Sequence, residues 1–104
     1  MTQRKPLSPT QRKHLKGLAH ALKPMVMVGK EGVTESVVTA ADEVLATQEL
    51  IKVRFQEFKE QRNELSEELA ERANAHLVGI IGHMATLYRP HANPDKRKIR
   101  LPKA

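Results

Sequence analysis

Residues 28–34 read Val-Gly-Lys-Glu-Gly-Val-Thr, and here residue type and spacing could do chemistry. Glycines at 29 and 32 let the backbone turn sharply and approach a ligand with no Cβ in the way. Thr34 suits the N-cap of a following helix. The turn then sits before unpaired N–H groups and the positive end of a helix dipole. Lys30 adds a mobile positive charge. Together these make a clamp for a phosphate backbone, as in RNA-binding modules with a GXXG loop. Glu31 opposes that use unless its carboxylate points away. An ordinary strand-to-helix turn would carry the same glycines, so the motif alone does not decide.

Other chemistries find less support. The chain has no cysteine, which removes disulfides, thiolate metal sites and Cys nucleophiles. His14, His20, His76, His83 and His91 form no His-x-x-x-His pair and no spaced cluster with acids that suggests zinc. Ser8, Ser36 and Ser66 fall at or near expected helix starts, where capping explains them. A small hydrolase using His83 would need acids or nucleophiles converging on it, and no nucleophile–base pattern is visible. Gly79-Ile80-Ile81-Gly82 repeats the glycine spacing around two apolar residues inside a strand, where packing is the better explanation. There is no Gly-x-Gly-x-x-Gly and no Gly-Lys-Ser/Thr. Neither catalysis, cofactor nor metal is expected. Aromatics are limited to Phe55, Phe58 and Tyr88, so Tyr88-Arg89-Pro90 stands out. Tyr88 could stack on a base and Arg89 grip a phosphate; equally, Tyr88 could close a sheet edge.

The elements that must position these residues follow from hydrophobic spacing. Ser8-Pro9-Thr10-Gln11 is a capping-box start, followed by Leu15, Leu18, Ala19 and Leu22 at helical intervals. Pro24 should end this helix. Met25–Val28 is a continuous apolar run that fits a fully buried strand. Beyond the glycine turn, Val37, Val38, Ala41, Val44 and Leu45 form the stripe of a second helix. Residues 50–55 alternate, with Ile51, Val53 and Phe55 inward and Lys52 and Arg54 outward. A Glu-rich third helix runs from about Gln61 to Ala75 with Leu65, Leu69, Ala70 and Ala73 inward. Leu77–Ile81 is another buried strand, joined through Gly82-His83 to a last strand at Ala85–Arg89. The order α-β-α-β-α-β-β gives a four-stranded mixed sheet packed with three helices, an α/β fold. The 104 residues fit a single domain: a flexible basic N-terminus at 1–7, a folded core at 8–90, and a basic tail at 91–104 anchored by Ile99 and Leu101.

Charge is unevenly distributed. Residues 1–30 carry seven Lys or Arg and no acid, residues 31–75 five basic against eleven acidic, and residues 76–104 six against one. If the ends converge, Lys13, Lys16, Lys30 and Arg89 share one positive face flanking the glycine turn, suited to phosphate backbones. The acidic third helix should lie elsewhere, and as an alternative could serve a regulatory protein–protein interaction module. No apolar run approaches the length of a membrane span, and the N-terminus does not read as a secretory signal, so a cytoplasmic location is expected.

Taken in order, Gln11-Arg12-Lys13-His14-Leu15-Lys16-Gly17-Leu18-Ala19-His20, Leu22-Lys23-Pro24, Val28-Gly29-Lys30-Glu31-Gly32-Val33-Thr34, Glu49-Leu50-Ile51-Lys52-Val53, Ile81-Gly82-His83 and Leu87-Tyr88-Arg89-Pro90 resemble the bacterial YhbY proteins. These are stand-alone CRM domains (chloroplast RNA splicing and ribosome maturation). The resemblance covers roughly residues 8–102, and Lys98-Ile99-Arg100-Leu101-Pro102 looks like the family's ending. It implies a fold similar to the C-terminal domain of translation initiation factor three. It implies RNA binding by Gly29, Lys30, Glu31 and Gly32 with a surface of Arg12, Lys13, Lys16, Lys23, His83, Tyr88 and Arg89. It further implies association with large-subunit rRNA precursors in pre-ribosomal particles during ribosome biogenesis. The protein is expected to act as a monomer, with no cofactor and no membrane.

Overall fold

Ser8 opens the first helix as its neighbours require. Its hydroxyl accepts from the Gln11 N–H and the Gln11 side chain accepts from the Ser8 N–H, both at 3.1 Å, with Pro9 following. The protein is described by a computed structural model covering residues 7–56, 61–99, 101 and 102. The expected flexible N-terminus, apart from Leu7, and Phe58 lie outside the described residues. Helix α1 spans Pro9–Ala19, strand β1 Pro24–Val28, α2 Glu35–Gln48, β2 Leu50–Phe55, α3 Arg62–Arg72, β3 His76–Ile81 and β4 Met84–Tyr88, with a 3-10 turn at Pro94–Lys96. The sheet order is β1-β2-β4-β3. β1 and β2 are parallel, while β4 runs antiparallel to both β2 and β3. The expected α-β-α-β-α-β-β order and four-stranded mixed sheet are therefore present.

Two clusters of buried side chains occupy the two sheet faces. On one, Val26, Val28, Ile51, Val53, Phe55, Ala85 and Leu87 meet Ala41 and Leu45 of α2 and Leu69 and Ala70 of α3. On the other, Leu15 and Ala19 of α1 pack with Leu7, Leu50, Val78 and Tyr88, joined by Leu22, Ile99 and Leu101. Burying a Leu or Ile side chain contributes about 1.5–3 kcal/mol, so each face holds its helices by aliphatic contact. A register shift between Leu77 and Gly79 is a β-bulge. It lets Leu77 and Ile80, three positions apart, both face α2 and α3 while Val78 and Gly79 face α1.

Several elements depart from expectation. α1 stops at Ala19, short of Pro24, because Lys23 before the proline must be extended and Leu22 turns into the second cluster. α3 ends at Arg72, and Asn74 (φ 55°) makes the left-handed turn that releases the chain into β3. β1 is not fully buried: Met25 is 39% and Met27 50% exposed. Ile81, at the end of the other strand read as buried, is 66% exposed. α1 covers β3, β4 and the near end of β2 but leaves the rest of its sheet face open. Ser66, expected near a helix start, lies inside α3, fully buried, and its hydroxyl has no partner among the described residues.

Candidate functional site

The Gly29–Gly32 turn leaves β1 where Val28 pairs with Phe55. Gly32 N–H donates to the Gly29 carbonyl at 3.1 Å, closing a β-turn with Lys30 and Glu31 exposed at its tip. Gly32 has φ +75°, a conformation that favours glycine, and Thr34 N–H then reaches its carbonyl at 3.0 Å. Thr34 caps α2 by accepting from Val37 N–H at 3.2 Å. Arg72 of α3 donates to the Val33 carbonyl at 2.8 Å and so fixes the exit of the turn. Gly29 has no such backbone demand. A Cβ there would meet only Gln56 Oε1 at 3.7 Å, so a side chain fits sterically but would project beside the neighbouring groove.

That groove, about 290 Å³, is lined by Met27, Arg54, Phe55, Gln56 and His83. The His83 carbonyl accepts from Phe55 N–H at 2.8 Å, so the β3–β4 hairpin is pinned beside β2 while the His83 side chain stays exposed. A second groove of about 320 Å³ lies under α1, lined by Lys16, Ala19, His20, Lys52, Gly79, Ile81, Met84 and Thr86. No acidic side chain lines either groove among the described residues. The exposed acids Glu64, Glu67, Glu68 and Glu71 sit on α3, across the sheet. Among the described residues no group of three or more His, Asp or Glu is placed to hold a metal ion. Similarly, no described helix is long and apolar enough to cross a membrane.

This arrangement accompanies a match to the family model of the CRS1/YhbY (CRM) domain over residues 7–89. The chain belongs to the CRM domain family. A protein of Haemophilus influenzae named as RNA-binding is 39% identical, over 93% of this chain and 96% of its own length. A probable RNA-binding protein of Methanocaldococcus jannaschii is 36% identical over 97% of this chain and 77% of its own. The solution structure of a Staphylococcus aureus protein, a candidate RNA-binding protein, superposes with a TM-score of 0.80 at 35% identity. It covers 92% of this chain and 99% of that one. None of these relatives carries an enzyme's name.

The CRM domain brings together only some of the residues singled out from sequence. Lys30, Lys16 and His83 edge the turn and the two grooves, and Arg12 lies one helical turn before Lys16 on the same side of α1. Lys13 faces away, in a shallow groove with His14, Leu18 and Pro102. Lys23 is exposed just before β1. Tyr88 is 2% exposed, its ring stacked on His76 at 6.1 Å, so it packs rather than offering a face to a base. Burial, then the nearby Glu49 carboxylate, pushes its phenol up. Arg89 donates to Asp42 Oδ1 at 2.7 Å, to the Asp42 carbonyl at 3.0 Å and to the Ala73 carbonyl at 2.8 Å. It ties α2 to the end of α3 and lies at the opposite end of β4 from the glycine turn. The single face of Lys13, Lys16, Lys30 and Arg89 is therefore not formed, because β4 runs away from the turn and Arg89 is engaged by the helices behind the sheet.

Glu49 stands in the Glu49–Val53 stretch that carries the family resemblance, but nothing in its type or spacing marked it as buried. It is 1% exposed, sits at φ 62° between α2 and β2, and accepts from the N–H groups of His91, Lys98 and Ile99 at 2.9, 2.6 and 3.2 Å. Burial raises its pKa, but the three backbone donors and the His91 charge outweigh that, and the carboxyl is lowered below its ordinary value of 4.5. Arg54 and Lys52 were likewise not singled out as groove residues; their outward alternation on β2 was the available signal.

Proposed function

We propose that this CRM domain is an RNA-binding protein of ribosome assembly. It grips the RNA backbone with the Gly29–Gly32 turn and the adjoining basic surface, and holds large-subunit rRNA precursor without turnover. The observation that carries the reading is the placement of the turn. It stands exposed at the start of α2, beside a groove bearing Arg54 and His83, while the acids of α3 lie across the sheet. RNA binding is also what the names of the relatives state of them. Phosphate recognition then uses the Lys30 ammonium and backbone N–H groups at the tip, with Arg12, Lys16 and Lys23 along the α1 side.

The test is binding of a structured RNA to Lys30→Asp and to Gly29→Asp. Neither position has a backbone conformation that demands glycine, so both variants keep the fold, as circular dichroism checks. Each should weaken binding at least about tenfold, equivalent to about 1.4 kcal/mol. Folded variants that bind like the parent would reduce the loop to a turn. The assembly role is tested separately, by crosslinking in cells and sequencing the bound RNA. Enrichment of large-subunit rRNA precursor supports it, and enrichment of unrelated transcripts removes it.

A further inference from the structure

The strand register aligns side chains across the open sheet face in a way that no single strand reveals. Met27 pairs with Arg54, Arg54 with Met84, and Met84 with Ile81. These residues make one row across all four strands, about 14 Å long at the usual strand spacing. Met27 and Ile81 at its ends are among the most exposed large apolar side chains described. The next row, one pleat back, is Lys52, Thr86 and Gly79, with Lys52 opposite Pro24. Over it lies Lys16. A Cβ at Gly79 would meet Lys16 Cε at 2.6 Å, so glycine there leaves room for the lysine stem to lie on β3 without shifting. The Lys16 ammonium, His20 and Lys52 thus stand along one side of the Met27–Ile81 row, and His83 and the glycine turn along the other.

We infer that this open face is a second RNA subsite, which takes two or three unpaired nucleotides next to the structured RNA held at the Gly29–Gly32 turn. The inference rests on the RNA-binding reading. Its content is that the bases lie on the Met27–Arg54–Met84–Ile81 row while their phosphates meet Lys16, His20 and Lys52. A four-stranded sheet face has room for two or three bases. Met thioethers make favourable contacts with aromatic rings, and a guanidinium plane can stack on a base. These contacts have no donor–acceptor code, so the subsite is tolerant of sequence. Charge selects the occupant: the lining carries cations and, among the described residues, no acid. An apolar protein segment would leave those cations unmatched.

The experiment uses the full chain and two RNA probes: a blunt stem–loop, and the same stem–loop with a short single-stranded run of uridines at either end. The extension should strengthen binding by the parent roughly tenfold, the scale of stacking a base or so. Met27→Ser and Ile81→Ser, uncharged changes at exposed positions, should each reduce that gain, and together should abolish it. Affinity for the blunt stem–loop, held by the Gly29–Gly32 turn and the cations of α1, should fall far less than affinity for the extended probe. An extension that adds nothing to the parent overturns the inference and leaves the RNA-binding reading standing. The inference is equally overturned if the paired variant keeps the gain, as it would on a face that serves a protein partner, or weakens both probes equally. Failure of the parent to bind either probe overturns the RNA-binding reading and this inference with it.

Discussion

Replacing Glu49 with Gln should loosen the C-terminal segment from the sheet. The carboxylate offers one oxygen to His91 N–H and the other to Lys98 and Ile99 N–H. A glutamine amide keeps the shape but has only one acceptor oxygen. Its NH2 must face a backbone N–H, so at least one donor loses its partner while the others bond to a neutral group. Hydrogen bonds to a charged group are worth about 1.5–3 kcal/mol each and are not additive, so a net loss of about 2 kcal/mol is expected. Glu49 is 1% exposed, so solvent screens little of this. In a domain of this size that lowers Tm by about 8–16 °C. The pH dependence has a definite sign. The folded carboxyl is lowered from 4.5, so its stabilisation is present above that value and is lost as pH falls through the depressed folded pKa. The parent should lose stability in that acid range and the gap to Glu49→Gln should close. Thermal melts at several pH values, with amide exchange at Lys98 and Ile99, measure it. Equal Tm at neutral pH and unchanged exchange at both amides would refute the reasoning.

Ser66→Ala removes a buried hydroxyl without a described partner and adds a better helix former, so it should raise stability by roughly 0.5–2 kcal/mol, read as a higher Tm. Arg89→Ala should cost about 1–3 kcal/mol, discounted because Asp42 is 60% exposed, and leave RNA affinity of the folded protein unchanged; a stable variant with weakened binding would restore Arg89 to the interface. With about five phosphate contacts, a fourfold rise in salt should weaken RNA binding on the order of 100-fold, measured by fluorescence anisotropy.

Features written in local chemistry were legible. Ser8 with Gln11, Thr34 before α2 and the Lys52/Arg54 alternation each carry their partners within a few residues. What failed needed distant information. Four consecutive apolar residues at 25–28 suit a strand covered on both faces, and nothing nearby says that α1 stops short of β1. Ile81 fails for the same reason. Glu49 reads as one more surface acid because its partners are backbone N–H groups at positions 91, 98 and 99, and a backbone donor leaves no mark on residue type. Tyr88 and Arg89 have the composition of an RNA contact, and only the course of β4 turns them to the scaffold. The Met27–Arg54–Met84–Ile81 row depends on register between strands, which periodicity within one strand does not contain.

The Gln11 side chain donates to the Pro102 carbonyl at 3.0 Å, across 91 residues of chain. Synthesis runs from N to C, so α1 is made before almost everything it packs against: β2, β3, β4, Ile99 and Leu101. Its capping box lets it form early, but its contacts with the sheet must wait, and Leu15 and Ala19 stay uncovered while the rest emerges. The face behind the sheet closes sooner, since α2 lies between the strands it covers. The nascent chain therefore carries an unhoused basic amphipathic helix until residues 99–102 have emerged. Folding of that layer should be slow relative to the first, as contacts of such long sequence separation are.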